Sequence, residues 1–163
     1  MQIQVVVTYR KDFLGTLMRW WGLRWSHAAL RFREFSRDDW EVYETAAFGT
    51  VKTTWEKFIK GVDSYKCYKT TIDLEEMDQE KILSFCEGAL GKFYNVPALL
   101  WIALEYLIGK RKAQALAIRA YVCSSFVAAV FEHIYIDLVP GFNNIWIVPD
   151  DLADSKLLEE VEP

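Results

Sequence analysis

The stretch WSHAALRFREFSRDDWEVYETA, residues 25–46, decides the fold class predicted for this chain. Two β-rich runs, Trp25–Phe32 and Trp40–Ala46, flank the polar segment EFSRDD, whose serine and aspartates favour turns. Consecutive strands joined by a polar turn pair as an antiparallel hairpin. The stretch therefore predicts a hairpin, and alternation along each strand assigns its side chains to one face of a sheet or the other.

The remaining pattern predicts an α+β order, with strands early, helices in the second half and one strand near the end. Further strands are predicted at 3–8, 65–72 and 144–149, and helices within 12–22, at 78–90, from Pro97 onward and at 124–134. No repeat or linker divides the chain. We therefore expect a single domain over 1–163, with an apolar helical insert at 97–120 and an acidic tail at 151–163 that docks as a short helix or frays.

Composition indicates a folded globular protein. The 163 residues are 52% hydrophobic, and 19 Lys and Arg stand against 23 Asp and Glu, giving a net charge of −4. That apolar content excludes intrinsic disorder, and the length suffices for a core without disulfide or metal staples. Nucleic-acid binding as the main role is excluded because phosphate neutralisation needs a concentrated basic face.

The cysteines and the N-terminal residues together indicate the cellular compartment of the protein. The three cysteines are scattered and lack zinc-ligand spacing, so we expect reduced thiols, no metal and no cofactor. The opening MQIQVVVTYRK resembles a strand more than a signal peptide, which favours a cytoplasmic protein. The most apolar run, 98–108, contains Glu105 and is shorter than the ~20 residues that span a bilayer. It predicts a core, interfacial or ligand-covering helix.

Only two histidines are available for acid–base chemistry. On a strand, His27 shares a face with Trp25, Ala29 and Arg31, a mixed environment that is unusual for a packed core position. A half-buried structural histidine is the alternative interpretation.

The second histidine, His133, follows Cys123 on the predicted helix by about 15 Å at ~1.5 Å per residue, too far to reach that thiol. We interpret His133 as a helix C-terminal residue, favoured there by the helix dipole, without a catalytic role.

Among the thiols, Cys123 stands out. YVCSSFVAAVFE places it just before or within the first turn of an apolar helix, with Ser124 and Ser125 available as caps. Helix N-termini lower a cysteine pKa and can hold an oxyanion. The alternative is a small buried hydrophobic residue, which is common for free cysteine and is favoured for Cys67 and Cys86.

A thiol–imidazole pair needs an acceptor that orients the ring. Glu44 is the candidate, because on its strand it shares the apolar face with Val42 and lies across the hairpin from His27. A buried carboxylate usually has a partner. A salt bridge from Glu44 to Arg24 or Arg31 is the structural alternative.

The order of these segments resembles a known family. VVVTYR, WSHAALRF, VYETAAFG, YVCSSFVAAVF and WIVPDDL follow one another as in the permuted NlpC/P60 families of the YiiX/YaeF type. These are papain-like cysteine amidases related to the lecithin:retinol acyltransferase group, in which the histidine precedes the cysteine. Phe93-Tyr94-Asn95 is similar to the family's "G-x-x-Y-D/N" segment, and IWIVPDDLADS to its closing "ITPDDL".

The resemblance runs from about Val5 to Leu152 and implies a circularly permuted papain-like α+β domain, with an antiparallel sheet or small barrel packed against helices. It implies Cys123 as nucleophile, His27 as general base and Glu44 as the orienting residue. The sequence departs from the family at "CSE", which reads CSS here, and in the length of the insert at 97–120.

An oxyanion formed during attack would be held by the Cys123 backbone amide and a second donor. The candidates for oxyanion or substrate binding are Tyr9, Ser124 and Tyr94.

Three functions follow as hypotheses. The first is a cysteine hydrolase that cleaves an amide bond in a peptide, a peptidoglycan fragment or an amino-acid conjugate through a thioester. The second is a thiol acyltransferase or lipid esterase of the lecithin:retinol acyltransferase type, suggested by the apolar residues within 99–108. The third is a non-enzymatic host-interaction protein that retains the fold, in a bacterium or a phage.

Overall fold

The computed structural model describes residues 1–20, 22–36, 38–46, 49–92, 118–142 and 147–162. Its elements, in chain order, are β1 (Gln2–Tyr9), α1 (Phe13–Trp20), β2 (His27–Arg33), β3 (Glu41–Ala46), β4 (Gly49–Thr54), α2 (Trp55–Ile59), β5 (Ser64–Thr70), α3 (Glu76–Ala89), α4 (Ile118–Glu132), α5 (Pro149–Ala153) and β6 (Leu158–Val161).

These strands form one antiparallel sheet in the order β4-β3-β2-β1-β5-β6. The predicted hairpin of β2 and β3 is present, with Ala29 paired to Glu44 and Leu30 to Tyr43. The α+β class and the antiparallel sheet are therefore confirmed. The sheet is open, so the small-barrel alternative is wrong.

Alternation along the strands builds two apolar layers. Val5 and Leu30 lie in the larger cluster, together with Ile82 of α3 and Phe126 of α4. The strand residues that alternate with these face the opposite side of the sheet, where Val6 belongs to a second apolar cluster with Phe58 of α2. Each such side chain, fully buried, contributes roughly 1.5–3 kcal/mol. The helix carrying the candidate nucleophile is thereby held against the strands of the hairpin.

Two edge regions of the sheet differ from the sequence interpretation. β4 and α2 were not predicted, because residues 49–59 are rich in Thr and Lys and show no clear apolar alternation. The acidic tail forms α5 and then β6, which pairs with β5. Glutamates of β6 meet lysines of β5, as in the Lys69–Glu159 pair at 3.3 Å, so charge complementarity supports docking of the tail.

The strand predicted at 144–149 is wrong in its described part. Ile147 and Val148 belong to no strand, and Pro149 opens α5, because proline at a first helical position suits a helix start. Residues 144–146, and the part of the predicted insert at 97–117, lie outside the described residues. Among the described residues, no helix combines the length and apolar character needed to cross a bilayer.

Candidate functional site

The hairpin brings His27 and Glu44 together. His27 is the first residue of β2 and pairs with Thr8 of β1, while Glu44 on β3 pairs with Ala29, two residues beyond His27. The two side chains are therefore diagonal neighbours on one face. His27 Nε2 and Glu44 Oε2 are 2.7 Å apart, a hydrogen bond that forms an ion pair when the ring is protonated.

This pair is mostly withdrawn from water, since the His27 and Glu44 side chains are 20% and 19% exposed. Burial by itself raises the pKa of Glu44, but the hydrogen bond and charge of His27, together with the charge of Arg10, hold that pKa below its usual range. The carboxylate thus stays ionised and acts as a fixed acceptor for the imidazole.

The thiol of Cys123 meets the same imidazole. Burial by itself lowers the pKa of His27, yet the charge and hydrogen bond of Cys123, followed by those of Glu44, outweigh it and raise the pKa. Because Nε2 faces Glu44, Nδ1 is the ring nitrogen that remains for the thiol. The predicted trio of Cys123, His27 and Glu44 thus lies together in space, although the three residues come from a helix and two strands.

The structure corrects the predicted setting of Cys123. Helix α4 begins at Ile118, so Cys123 lies in the second turn and not at the N-terminus. Dipole stabilisation falls off within the first turn, and only the first four amides of a helix lack an intrahelical acceptor. The Cys123 amide is therefore a poor oxyanion donor, and the group shown to interact with the thiol is the imidazole of His27.

The structure places Ser124 inside α4 instead of at its N-terminus. It is fully buried inside α4, and its hydroxyl donates to the backbone carbonyl of Ile147. The hydroxyl therefore ties two segments together and does not cap the helix. The role of Ser124 in oxyanion or substrate binding stays a prediction.

Tyr9 remains a prediction as a substrate or oxyanion residue. It ends β1 next to Thr8, the residue paired with His27, and is buried. The guanidinium of Arg19 lies 4.8 Å from the centre of its ring. Tyr94 lies outside the described residues, as does the apolar run that motivates the acyltransferase hypothesis.

The structural alternatives for Glu44 are wrong. Arg24 pairs with Asp150 at 3.2 Å and with Asp154 at 2.6 Å. Arg31 is buried with its guanidinium between two indole rings, 4.1 Å and 4.4 Å from their centres, and its Nε donates to a glutamine.

The other thiols and the second histidine fit the structural interpretations. Burial raises the pKa of Cys67, and it raises that of Cys86 to about 12, so neither thiol ionises readily. His133 lies just past the end of α4 with its ring 5.2 Å from that of Phe85, away from Cys123 as predicted.

Two further residues shape the site without a clear sequence signal. Arg10 donates from Nη2 to the Phe58 carbonyl at 2.8 Å, and its charge also lowers the pKa of Glu44. The Phe58 ring lies 6.1 Å from the His27 ring and closes one side of it. Arg10 directly follows β1, but nothing in its neighbourhood distinguishes it from an ordinary surface arginine; α2 was not predicted at all.

Comparison with known proteins supports the fold. The chain matches no protein-family model and no curated protein. Its structure is similar to a solved structure described as metalloprotein yiiX from Escherichia coli O157:H7, DUF1105, with a TM-score of 0.66. The two share 13% sequence identity, over 99% of this chain and 96% of that chain. Agreement along both full lengths shows a YiiX-like fold.

The neighbouring structure is described as that of a metalloprotein. Within the parts of the chain that the structure describes, no three His, Cys, Asp or Glu side chains are grouped as metal ligands. The described residues therefore do not offer the three convergent donors that a zinc site in a protein uses.

Proposed function

We propose that this protein is a cysteine hydrolase that cleaves an amide bond in a peptide, a peptidoglycan fragment or an amino-acid conjugate. One observation carries the proposal: one half-buried imidazole, that of His27, interacts with a carboxylate at 2.7 Å and with the thiol of Cys123. A nucleophile, a base and an orienting acceptor in contact are the arrangement that thiol catalysis requires. The resemblance of the sequence segments to those of permuted papain-like amidases supports the same assignment of roles.

In the acylation step, His27 takes the proton of the Cys123 thiol and the thiolate attacks the amide carbonyl. A carbon–sulfur bond forms and the carbonyl becomes an oxyanion. The carbon–nitrogen bond then breaks as the imidazolium returns its proton to the leaving amine. The products of this half reaction are the free amine and a thioester on Cys123.

In the deacylation step, His27 removes a proton from water, which attacks the thioester carbonyl. The carbon–sulfur bond breaks, the carboxylic acid leaves, and the proton on His27 balances the regenerated thiolate. Glu44 holds the ring throughout. With Nε2–H donated to Glu44, the lone pair of Nδ1 is the one available to receive the proton, and the carboxylate stabilises the imidazolium.

The test compares the three cysteines of the wild-type protein with one another. All three side chains are 0% exposed, so burial alone predicts equally slow alkylation by iodoacetamide. A thiolate–imidazolium pair predicts that Cys123 reacts fastest near neutral pH, when each site is quantified by mass spectrometry. In His27→Ala that advantage should be lost, because the imidazole that accepts the proton of the Cys123 thiol is removed.

Equal alkylation of the three sites in folded wild-type protein would overturn the proposal and favour a binding protein. If Cys123 is selectively reactive, incubation with acylated amines should give an adduct of the acyl group on Cys123, visible by intact mass. The adduct should disappear with time as water hydrolyses it, which separates hydrolysis from transfer to another acceptor.

A further inference from the structure

Asp150, in the first turn of α5, holds the chain that leads into β2. Its Oδ1 accepts the backbone N–H of Trp25 at 2.9 Å, and its Oδ2 accepts the backbone N–H of Arg24 at 2.9 Å. The same Oδ2 accepts the Nε–H of Arg24 at 3.2 Å. Two consecutive amides on one carboxylate fix the position and orientation of this backbone, which enters β2 at His27.

The same segment also holds α4 beside the nucleophile. Ser124, the residue after Cys123, donates its hydroxyl hydrogen bond to the carbonyl of Ile147, two residues before α5 begins. Ser124 is fully buried, so this bond is sheltered from competing water.

Between these two ties the segment is anchored in the core. Ile147 and Leu152 are fully buried and belong to the apolar cluster that contains Trp25 and Cys123. Within the segment, the carboxylate of Asp151 accepts a hydrogen bond from the backbone N–H of Val148 at 2.8 Å. Residues 147–152 therefore form a short, well-supported connection between the two elements that carry the reacting groups.

We propose that residues 147–152 act as a clamp that sets the distance between the Cys123 thiol and the His27 imidazole, with Asp150 as the positioning residue. The inference rests on the proposed function. A thiol and an imidazole on a separate helix and strand need a common support, because small displacements weaken proton transfer steeply. The clamp supplies it by binding the backbone two and three residues before His27 and the residue after Cys123.

The experiment uses Asp150→Asn in the full chain. The asparagine side chain has one oxygen that can accept from a backbone N–H, and its NH2 group cannot accept from the other. One of the two hydrogen bonds to the backbone is therefore lost while the shape of the side chain is kept. The measurement is the rate of Cys123 alkylation by iodoacetamide from about pH 5.5 to 9.5, with Cys67 and Cys86 as internal reports of folding. We expect the rate near pH 6.5 to fall about tenfold, the factor for a one-unit pKa change. The difference between wild type and variant should become smaller as the pH rises, because hydroxide then removes the thiol proton without the imidazole.

Asp154→Asn is the matched control. Asp154 lies outside the clamp and binds the guanidinium of Arg24; it is 66% exposed against 15% for Asp150, whose carboxylate also holds the backbone N–H groups of residues 24 and 25. Its pH profile should equal that of the wild type. A folded Asp150→Asn protein with the wild-type profile overturns the clamp.

Asp150→Asn could fail to fold, which would show as fast alkylation of Cys67 and Cys86. In that case the Ser124→Ala variant tests the clamp, because it removes the hydrogen bond to the Ile147 carbonyl and leaves Asp150 in place. A loss of rate near pH 6.5 supports the clamp, and an unchanged profile overturns it. Failure of the proposed function is distinguishable from either result, because it appears in the wild type as the absence of any Cys123 advantage.

Discussion

Glu44→Gln tests the electrostatic core of the site with a change of one atom. The substitution keeps the volume of the side chain and replaces the anionic acceptor of His27 by a neutral amide. Because the pair is 2.7 Å apart and both side chains are about four-fifths buried, water replaces little of the lost interaction. A hydrogen bond to a charged group contributes about 1.5–3 kcal/mol, which corresponds to a ten- to hundredfold change in an equilibrium.

The sign follows from the charge. The carboxylate stabilises the imidazolium and hence the thiolate–imidazolium pair, so its removal favours the neutral thiol and imidazole. Alkylation of Cys123 near pH 6 should therefore slow by about ten- to hundredfold, whereas near pH 9.5 it should approach the wild-type rate.

The assay is the site-resolved alkylation rate across pH, with unfolding in urea as a check that the variant is folded. An unchanged rate near pH 6 in folded Glu44→Gln would refute the reasoning, because Glu44 would then be without influence on the proton at His27. A uniform loss at every pH would indicate altered access to the thiol instead of altered ionisation.

Two further predictions concern stability. Folding lowers the pKa of Glu44, so the contribution of Glu44 to the free energy of unfolding is present above the unfolded carboxyl pKa of about 4.3 and is lost as the pH falls through the folded pKa. Folding raises the pKa of His27, so the contribution of His27 is present below the unfolded pKa of about 6.5 and is lost as the pH rises through the folded pKa. Urea unfolding should therefore show the largest difference between wild type and Glu44→Gln near pH 5–6, and a difference that is flat from about pH 4 to 9 would contradict the linkage. Arg31→Lys should destabilise the protein by about 1–3 kcal/mol, because an ammonium loses the planar stacking between two indole rings; Arg33→Lys, over one ring only, should cost less, and equal losses would count against the stacking.

The pairing of His27 with Glu44 was predictable because it depends on local rules. Alternation places each residue on a face, and a short polar turn forces the two strands to be neighbours. The register then brings residues near the open ends of the hairpin into contact. The structure adds the distance between the two atoms and the burial that makes their interaction strong.

The start of α4 was not predictable from the same rules. Ser124 and Ser125 have the composition of helix caps, yet both lie inside the helix, where Ser124 has a buried carbonyl as its acceptor. Tertiary packing outweighs a capping preference of about 1 kcal/mol. The consequence is chemical, because the proposed nucleophile then depends on the His27 imidazole and not on a helix terminus.

The edge of the sheet shows the same limit. β4 has few apolar residues, and β6 lies in an acidic tail, so neither has a strong pattern of its own. Each forms because an existing strand offers backbone partners, and β6 also finds lysines on β5.

Local sequence patterns determine the α+β class, the central hairpin and the histidine–carboxylate pair, because alternation and turn chemistry act over a few residues. Only the tertiary structure decides that a helix distant in sequence presents Cys123 to that pair and that Asp150 holds the strand leading to His27. Contacts between residues so far apart in the chain depend on the packing of whole elements, and no short-range pattern encodes the distance between them.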